Sequence, residues 1–244
     1  AGMMPICTGS DGGGSIRIPA AYSGLFGFKT SFGRVGYAGN FDSALTSVPG
    51  PMCRAVRDAA RYVDAIAGPT NNDPTSLPRP VRSYEDAVVS GDAAGQLRGK
   101  RAVWSSTLGF AVCDPEVEKL SHEAALALCA DAGIELVDID VNFPRPGGAW
   151  ALISNLDTAA DYLDAARGHW DDVTPVSRAG LQAVDGLNAE TMMRGLRRRF
   201  ELLIAIGAVF DQVDLMLTPT TATTAFVAEG PPPLEIGGQK VGGM

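Results

Sequence analysis

The chain is short of cations. Its 244 residues carry 20 Lys and Arg against 28 Asp and Glu, a formal net charge of −8. That balance argues against nucleic acid and against an anionic membrane as partners, because both reward clustered Lys and Arg. Histidine is scarcer still, with only His122 and His169. Asp138, Asp140, Asp171 and Asp172 have no histidine at ligand spacing, so the reading is no metal. The four cysteines (Cys7, Cys53, Cys113, Cys129) form no C-x-x-C pair. They read as small buried apolar residues in a reducing compartment, which points to the cytoplasm. A run of about 18 apolar residues, long enough to span a membrane, is missing, and there is no internal repeat.

Glycine is plentiful, and three of the 29 stand together in Gly9-Ser10-Asp11-Gly12-Gly13-Gly14-Ser15-Ile16-Arg17-Ile18-Pro19. Each ordered glycine forgoes about 0.5–1 kcal/mol relative to alanine, so three in a row imply a backbone need that only glycine meets. Positive φ is one such need. The other is a row of uncovered N–H groups, which suits a phosphate or a developing oxyanion. A P-loop wants Lys-Ser or Lys-Thr after its last glycine, and here Ser15-Ile16 follows. Neither G-x-G-x-x-G nor G-x-S-x-G is met in register, since Arg17 stands where the last glycine of the second belongs. What remains is a serine hydroxyl at the end of a donor-lined turn, as a nucleophile would be placed. A glycine turn with a capping serine is the structural alternative.

A nucleophilic serine needs a base. His122 falls on the polar side of a helix-like run and reads as a surface residue, and His169 lies in a loop with Asp171 and Asp172 close in sequence. No motif joins either to Ser15. Lysine kept neutral by desolvation is the other choice, with Lys29, Lys100, Lys119 and Lys240 available. None is marked out as the base.

The long pattern Gly9 to Ala20, with Gly24-Leu25-Phe26-Gly27-Phe28-Lys29 and Gly33-Arg34-Val35 after it, resembles the amidase signature family. Gly50-Pro51-Met52-Cys53-Arg54-Ala55-Val56 resembles that family's strand-then-helix continuation, and Asp211 to Thr220 its late strand ending in Thr-Pro-Thr. The wording Gly-Gly-Gly-Ser-Ile-Arg-Ile-Pro is similar to amidases of the 6-aminohexanoate cyclic dimer hydrolase type. Gly12 and Lys29-Thr30-Ser31 depart slightly from the commoner wording.

The resemblance implies an amidase acting on a linear or cyclic carboxamide, a small-molecule substrate, with no cofactor. Ser15 matches the nucleophile that forms the acyl-enzyme. The N–H groups of Gly12, Gly13, Gly14 and Ser15 match the oxyanion hole, and Asp11 and Arg17 match residues that brace the turn by pairing across it. The family's base is a lysine acting through a second serine in a cis peptide, both in upstream motifs that this sequence does not contain. The expectation is therefore a segment of a larger amidase, incomplete at both ends and close to inactive alone. Strand edges and apolar faces bared in that way would favour a homo-oligomer. A glutaminase-type component of a tRNA-dependent amidotransferase is an alternative, although Ile18 stands where that group usually has glutamine. A non-catalytic binding fragment is another.

The length suits a single α/β domain over residues 1–244, able to bury roughly 70–75% of its unfolded surface. The resemblance implies a mixed, largely parallel β-sheet sandwiched by helices. In order, the pattern predicts a helix over 20–26 opened by Pro19, a strand over 28–35, and loop over 36–51. An amphipathic helix follows over 54–67, with Val56, Ala59, Ala60, Val63 and Ile66 in one stripe. Residues 101–105 read as a strand. Asp114 and Pro115 open a helix facing inward through Val117, Leu120, Ala124 and Leu128, which Gly133 closes. A strand over 134–141 completes a crossover, so part of the sheet should be parallel. Residues 142–187 carry no readable code, with Trp150 and Trp170 reading as core. Asn188 caps a long helix to Phe210 with Met192, Leu196, Phe200, Leu203, Gly207 and Phe210 inward. Residues 215–218 form a short strand, and 219–244 read as loop or a disordered tail.

Overall fold

The computed structural model describes residues 2–37, 45–229 and 232–241. Around the glycine turn, β1 (Ile6–Asp11), β2 (Phe26–Gly27) and β3 (Val48–Cys53) form an antiparallel sheet in the order β1-β3-β2. The register pairs Gly9 with Gly50 and Asp11 with Val48, so the turn leaves the sheet at the end of its first strand. Helix α1 (Arg17–Tyr22) starts three residues before the expected position, because the turn runs straight into it. Ile16 at its start and Ala20 within it are buried. The loop expected over 36–51 therefore yields a strand from Val48, and 38–44 lies outside the described residues. The strand expected over 28–35 does not form. Apart from a single bridge of Val35 to Gly68, this stretch is turn and irregular chain.

Helix α2 (Val56–Ile66) follows as expected and buries Ala59, Ala60 and Val63. The chain after it forms α3 (Tyr84–Val89) and α4 (Asp92–Leu97). Asp64, on α2, accepts from the Ser83 hydroxyl at 2.6 Å and from the N–H groups of Tyr84 and Glu85, tying the start of α3 to α2.

The second sheet is parallel, in the order β5-β4-β6, from β4 (Arg101–Trp104), β5 (Glu135–Leu136) and β6 (Leu215–Leu217). Helix α5 (Pro115–Ala132) carries the first crossover. Asp114 accepts from the Glu116 N–H at its start, and Gly133 closes it at φ 67°. Adjacent residues of β4 serve opposite faces. Ala102 packs with Cys129 and Ile134, and Val103 packs with Val141, Phe143, Val209 and Val213. Both faces of the strand are thus covered, as a parallel sheet requires. The mixed α/β class holds, with helices over both faces of the parallel part.

Between β5 and β6 run α6 (Gly147–Ala166), a 3-10 turn at Trp170–Asp172, α7 (Pro175–Val184) and α8 (Ala189–Phe210). Asn188 caps α8 by accepting from the Thr191 N–H at 2.9 Å. Two inward stripes differ from expectation. In α5 the buried residues are Ala125 and Cys129, while Leu120 and Leu128 are exposed. In α8 they are Gly195 and Val209, with Met192, Phe200, Leu203 and Phe210 exposed. Close approach explains the choice of small residues in α8. A Cβ on Gly195 would stand 2.6 Å from Leu152 of α6. Of the cysteines, Cys53 and Cys129 are buried as expected, but Cys7 is exposed and Cys113 only half-buried.

Tyr22 stacks edge-on with Phe226, and β7 (Glu235–Ile236) pairs antiparallel with β8 (Gln239–Lys240). Among the described residues no helix is long and apolar enough to cross a membrane.

Candidate active site

Asp11 organises the turn. Its carboxylate is fully buried, so every acceptor position needs a donor. Oδ1 accepts from the Gly14 N–H at 2.7 Å, and Oδ2 from the N–H groups of Ile16 and Arg17 at 3.3 Å. Arg17 closes the contact with Nε on Oδ2 and Nη2 on Oδ1, each at 2.9 Å. Burial pushes the Asp11 carboxyl up, but the Arg17 bonds and charge and the N–H donors outweigh it and hold it at about 2. The same bond raises Arg17 in turn.

Bound in this way, Asp11 pulls five residues of chain around itself and leaves Ser15 exposed at the bend. The Ser15 hydroxyl makes no hydrogen bond to the described residues. Gly14 has φ 125°, a conformation open to glycine, and a Cβ there would also stand 2.5 Å from Ile18 Cδ1. The Gly14 N–H is committed to Asp11 and is thereby withdrawn from the row of donors expected along the turn. The N–H groups of Gly12, Gly13 and Ser15 have no partner among the described residues.

Trp150, at the start of α6, covers the turn from outside. Its indole N–H donates to the Gly12 carbonyl at 3.0 Å, and a Cβ on Gly13 would stand 2.8 Å from its Cε2. Sequence reasoning placed Trp150 in the core. The contact crosses 138 residues, and the only signal for it is that an indole N–H needs an acceptor. Thr46 flanks the turn too, its hydroxyl oxygen 3.3 Å from where a Gly12 Cβ would be. Beyond these two residues lies a cavity of about 430 Å³, which they line together with Pro146, Ile153, Arg198 and Leu202.

The candidate bases fall elsewhere. His122 is half-buried against the Trp104 ring, with centroids 5.1 Å apart, and is no simple surface residue. His169 lies exposed, 3.7 Å from an exposed Asp172 carboxylate. Lys100 is paired with Asp214 at 2.7 Å, and Lys119 and Lys240 are exposed. Lys29 is half-buried, and desolvation, reinforced by the Arg17 charge, lowers its pKa. Its ammonium donates only a long bond to the Thr30 carbonyl, at 3.5 Å. Among the described residues no group of three or more His, Cys, Asp or Glu could hold a metal ion.

The family model Amidase matches residues 1–236. One of the glutamyl-tRNA(Gln) amidotransferase subunits of Rhodospirillum rubrum is 32% identical over 90% of the chain, and an acylamidase from Rhodococcus erythropolis is 30% identical over 93%. The matches cover 48% and 47% of those proteins, so the chain spans about half the length of the curated relatives it matches. A bacterial aryl acylamidase structure superposes with a TM-score of 0.86 at 27% identity, covering 99% of this chain and 52% of that one. A 6-aminohexanoate cyclic dimer hydrolase shares the fold, with a TM-score of 0.70 at 22% identity over 86% of this chain and 45% of that one. A family match over nearly the whole sequence leads to one assignment: the chain belongs to the amidase signature family.

Proposed function

We propose that this chain supplies the nucleophile and the oxyanion site of an amidase. The observation that carries the reading is an exposed Ser15 hydroxyl beside three peptide N–H groups, of Gly12, Gly13 and Ser15, that no protein acceptor among the described residues uses. Ser15 Oγ gives its proton to a base and bonds to the amide carbon, and the carbonyl π pair moves onto oxygen. That oxyanion is met by peptide donors already fixed in place, each worth roughly 3 kcal/mol of barrier. Collapse expels the amine, which takes the proton, and leaves an ester on Ser15 that water then hydrolyses. Asp11 and Arg17 hold the turn in shape without touching the reacting atoms.

The base is the missing part. None of the histidines or lysines above makes a hydrogen bond to Ser15, and the resemblance places the base in a lysine and second serine of motifs not found in this sequence. In well-studied triads, loss of the base leaves roughly 10³–10⁴ over water from the oxyanion hole and binding. The chain alone is accordingly close to inactive. Relatives named as acylamidase and as amidotransferase component match about equally well. The fate of the ammonia or amine separates the two uses: free release marks a simple amidase, and delivery to a partner protein marks a component of an amidotransferase. Mapping the adduct of a fluorophosphonate probe tests the Ser15 assignment directly.

A further inference from the structure

We infer that Trp150 is a positioning residue for the oxyanion site, an inference that rests on the amidase reading above. Each peptide plane in the turn has its own anchor. The plane joining Gly13 to Gly14 is held by the Gly14 N–H on Asp11 at 2.7 Å. The plane joining Gly14 to Ser15 is held by the Gly14 carbonyl, which accepts from the Ile18 N–H at 2.8 Å as α1 begins. The plane joining Gly12 to Gly13 has, among the described residues, the Trp150 indole at 3.0 Å as its one hydrogen-bond anchor.

That plane is also the one most in need of an anchor. A peptide flanked by two glycines meets little steric resistance to turning over. Because a trans peptide is planar, its C=O and N–H point in opposite directions. Drawing the Gly12 carbonyl onto Trp150 therefore fixes the Gly13 N–H on the other side of the plane, where it stays unpaired. The ring adds a steric stop, since it lies so close to Gly13 that even a methyl group would not fit between them. The indole also lines the cavity of about 430 Å³. No residue of the turn lines that cavity, so the indole acts on the turn directly rather than through the cavity.

Two replacements at position 150 separate the hydrogen bond from the ring. Trp150→Phe keeps an aromatic wall and removes the donor. A benzothienylalanine at the same position keeps the bicyclic shape and exchanges only N–H for sulfur, so it guards against a folding defect. Nitrogen-15 relaxation of the full chain is the first readout. The Gly13 amide is expected to fall from a rigid order parameter of about 0.85 to below about 0.6 in both variants. The amides of Gly14, Ser15 and β3 should stay rigid. A Gly13 amide that remains rigid without the indole N–H overturns the inference.

Phosphonylation of Ser15 is the second readout. Its limiting rate constant is expected to drop ten- to a hundredfold at an unchanged half-saturating probe concentration, because the aromatic ring still covers the turn. An unchanged limiting rate, or a loss confined to probe binding, overturns the inference as well. Equal labelling of wild type and Ser15→Ala would refute the nucleophile assignment instead. The relaxation arm would still decide whether Trp150 holds the turn.

Discussion

Arg17 grips Asp11 with two parallel bonds, Nε to Oδ2 and Nη2 to Oδ1, both 2.9 Å long. One partner is fully buried and the other is half-exposed. That asymmetry governs what substitution does. Arg17→Met strands a buried carboxylate on its peptide donors and should cost about 2–4 kcal/mol. Arg17→Lys keeps the charge but loses the two-pronged geometry, and should cost about 1–2 kcal/mol. The double variant Asp11→Asn/Arg17→Met should recover part of the loss, because no unpaired charge is left behind. Urea unfolding midpoints at constant m check all three.

Acid should find the same pair. The folded Asp11 carboxyl sits at about 2, below the ordinary 3.8. The folded state therefore holds its proton less tightly than the unfolded chain. The resulting stability is present in full above pH 4 and is lost as pH falls towards 2. Its size is about 1–2 kcal/mol once screening at the half-exposed guanidinium is allowed for. Asp64, Asp73, Glu85 and Asp214 are also lowered and add to the acid sensitivity. The test is thus a difference: Asp11→Asn should show a smaller loss of stability between pH 6 and pH 2.5 than the wild type.

Gly14→Ala should damage the turn from two directions. The backbone stands at φ 125°, and the new methyl would meet Ile18. A loss of about 1–3 kcal/mol is expected, from strain of the kind stored at special backbone positions. Thermal unfolding checks the size, and Ile18→Ala in the same chain should relieve the contact but not the backbone strain.

Asp64 offers a control away from the site. Its carboxylate takes three donors at the start of α3, so Asp64→Ala should cost about 1–2 kcal/mol. The rate of any chemistry at Ser15 should not change, because none of these donors belongs to the turn.

Local chemistry was legible in the sequence, and contacts across the chain were not. Asp114 with Pro115, Gly133 and Asn188 mark helix ends through bonds to their own neighbours, and each stands where the pattern put it. The stripes of α5 and α8 were misjudged because both helices carry apolar residues on several sides. Periodicity chooses the bulky ones, but close packing put Ala125, Cys129 and Gly195 inward. Residues 28–35 have strand-like content yet find one bridge, since beyond the two residues paired with β2 the strand β3 offers Pro51 and Pro49, which have no N–H to donate. In the site, Asp11, Gly14 and Arg17 are brought together within seven residues, and their pairing could be anticipated. The commitment of the Gly14 N–H to Asp11 could not, because it depends on which way one peptide plane turns. Trp150 was hidden for a plainer reason, a separation of 138 positions from Gly12.

The claim on which the account rests is that Ser15 is the nucleophile. Incubating the chain with a fluorophosphonate over a range of alkaline pH, and mapping the adduct by mass spectrometry, tests it most directly. The account predicts slow labelling confined to Ser15, faster as pH rises, and abolished in Ser15→Ala. An adduct on another residue, or labelling that survives in Ser15→Ala, would contradict it.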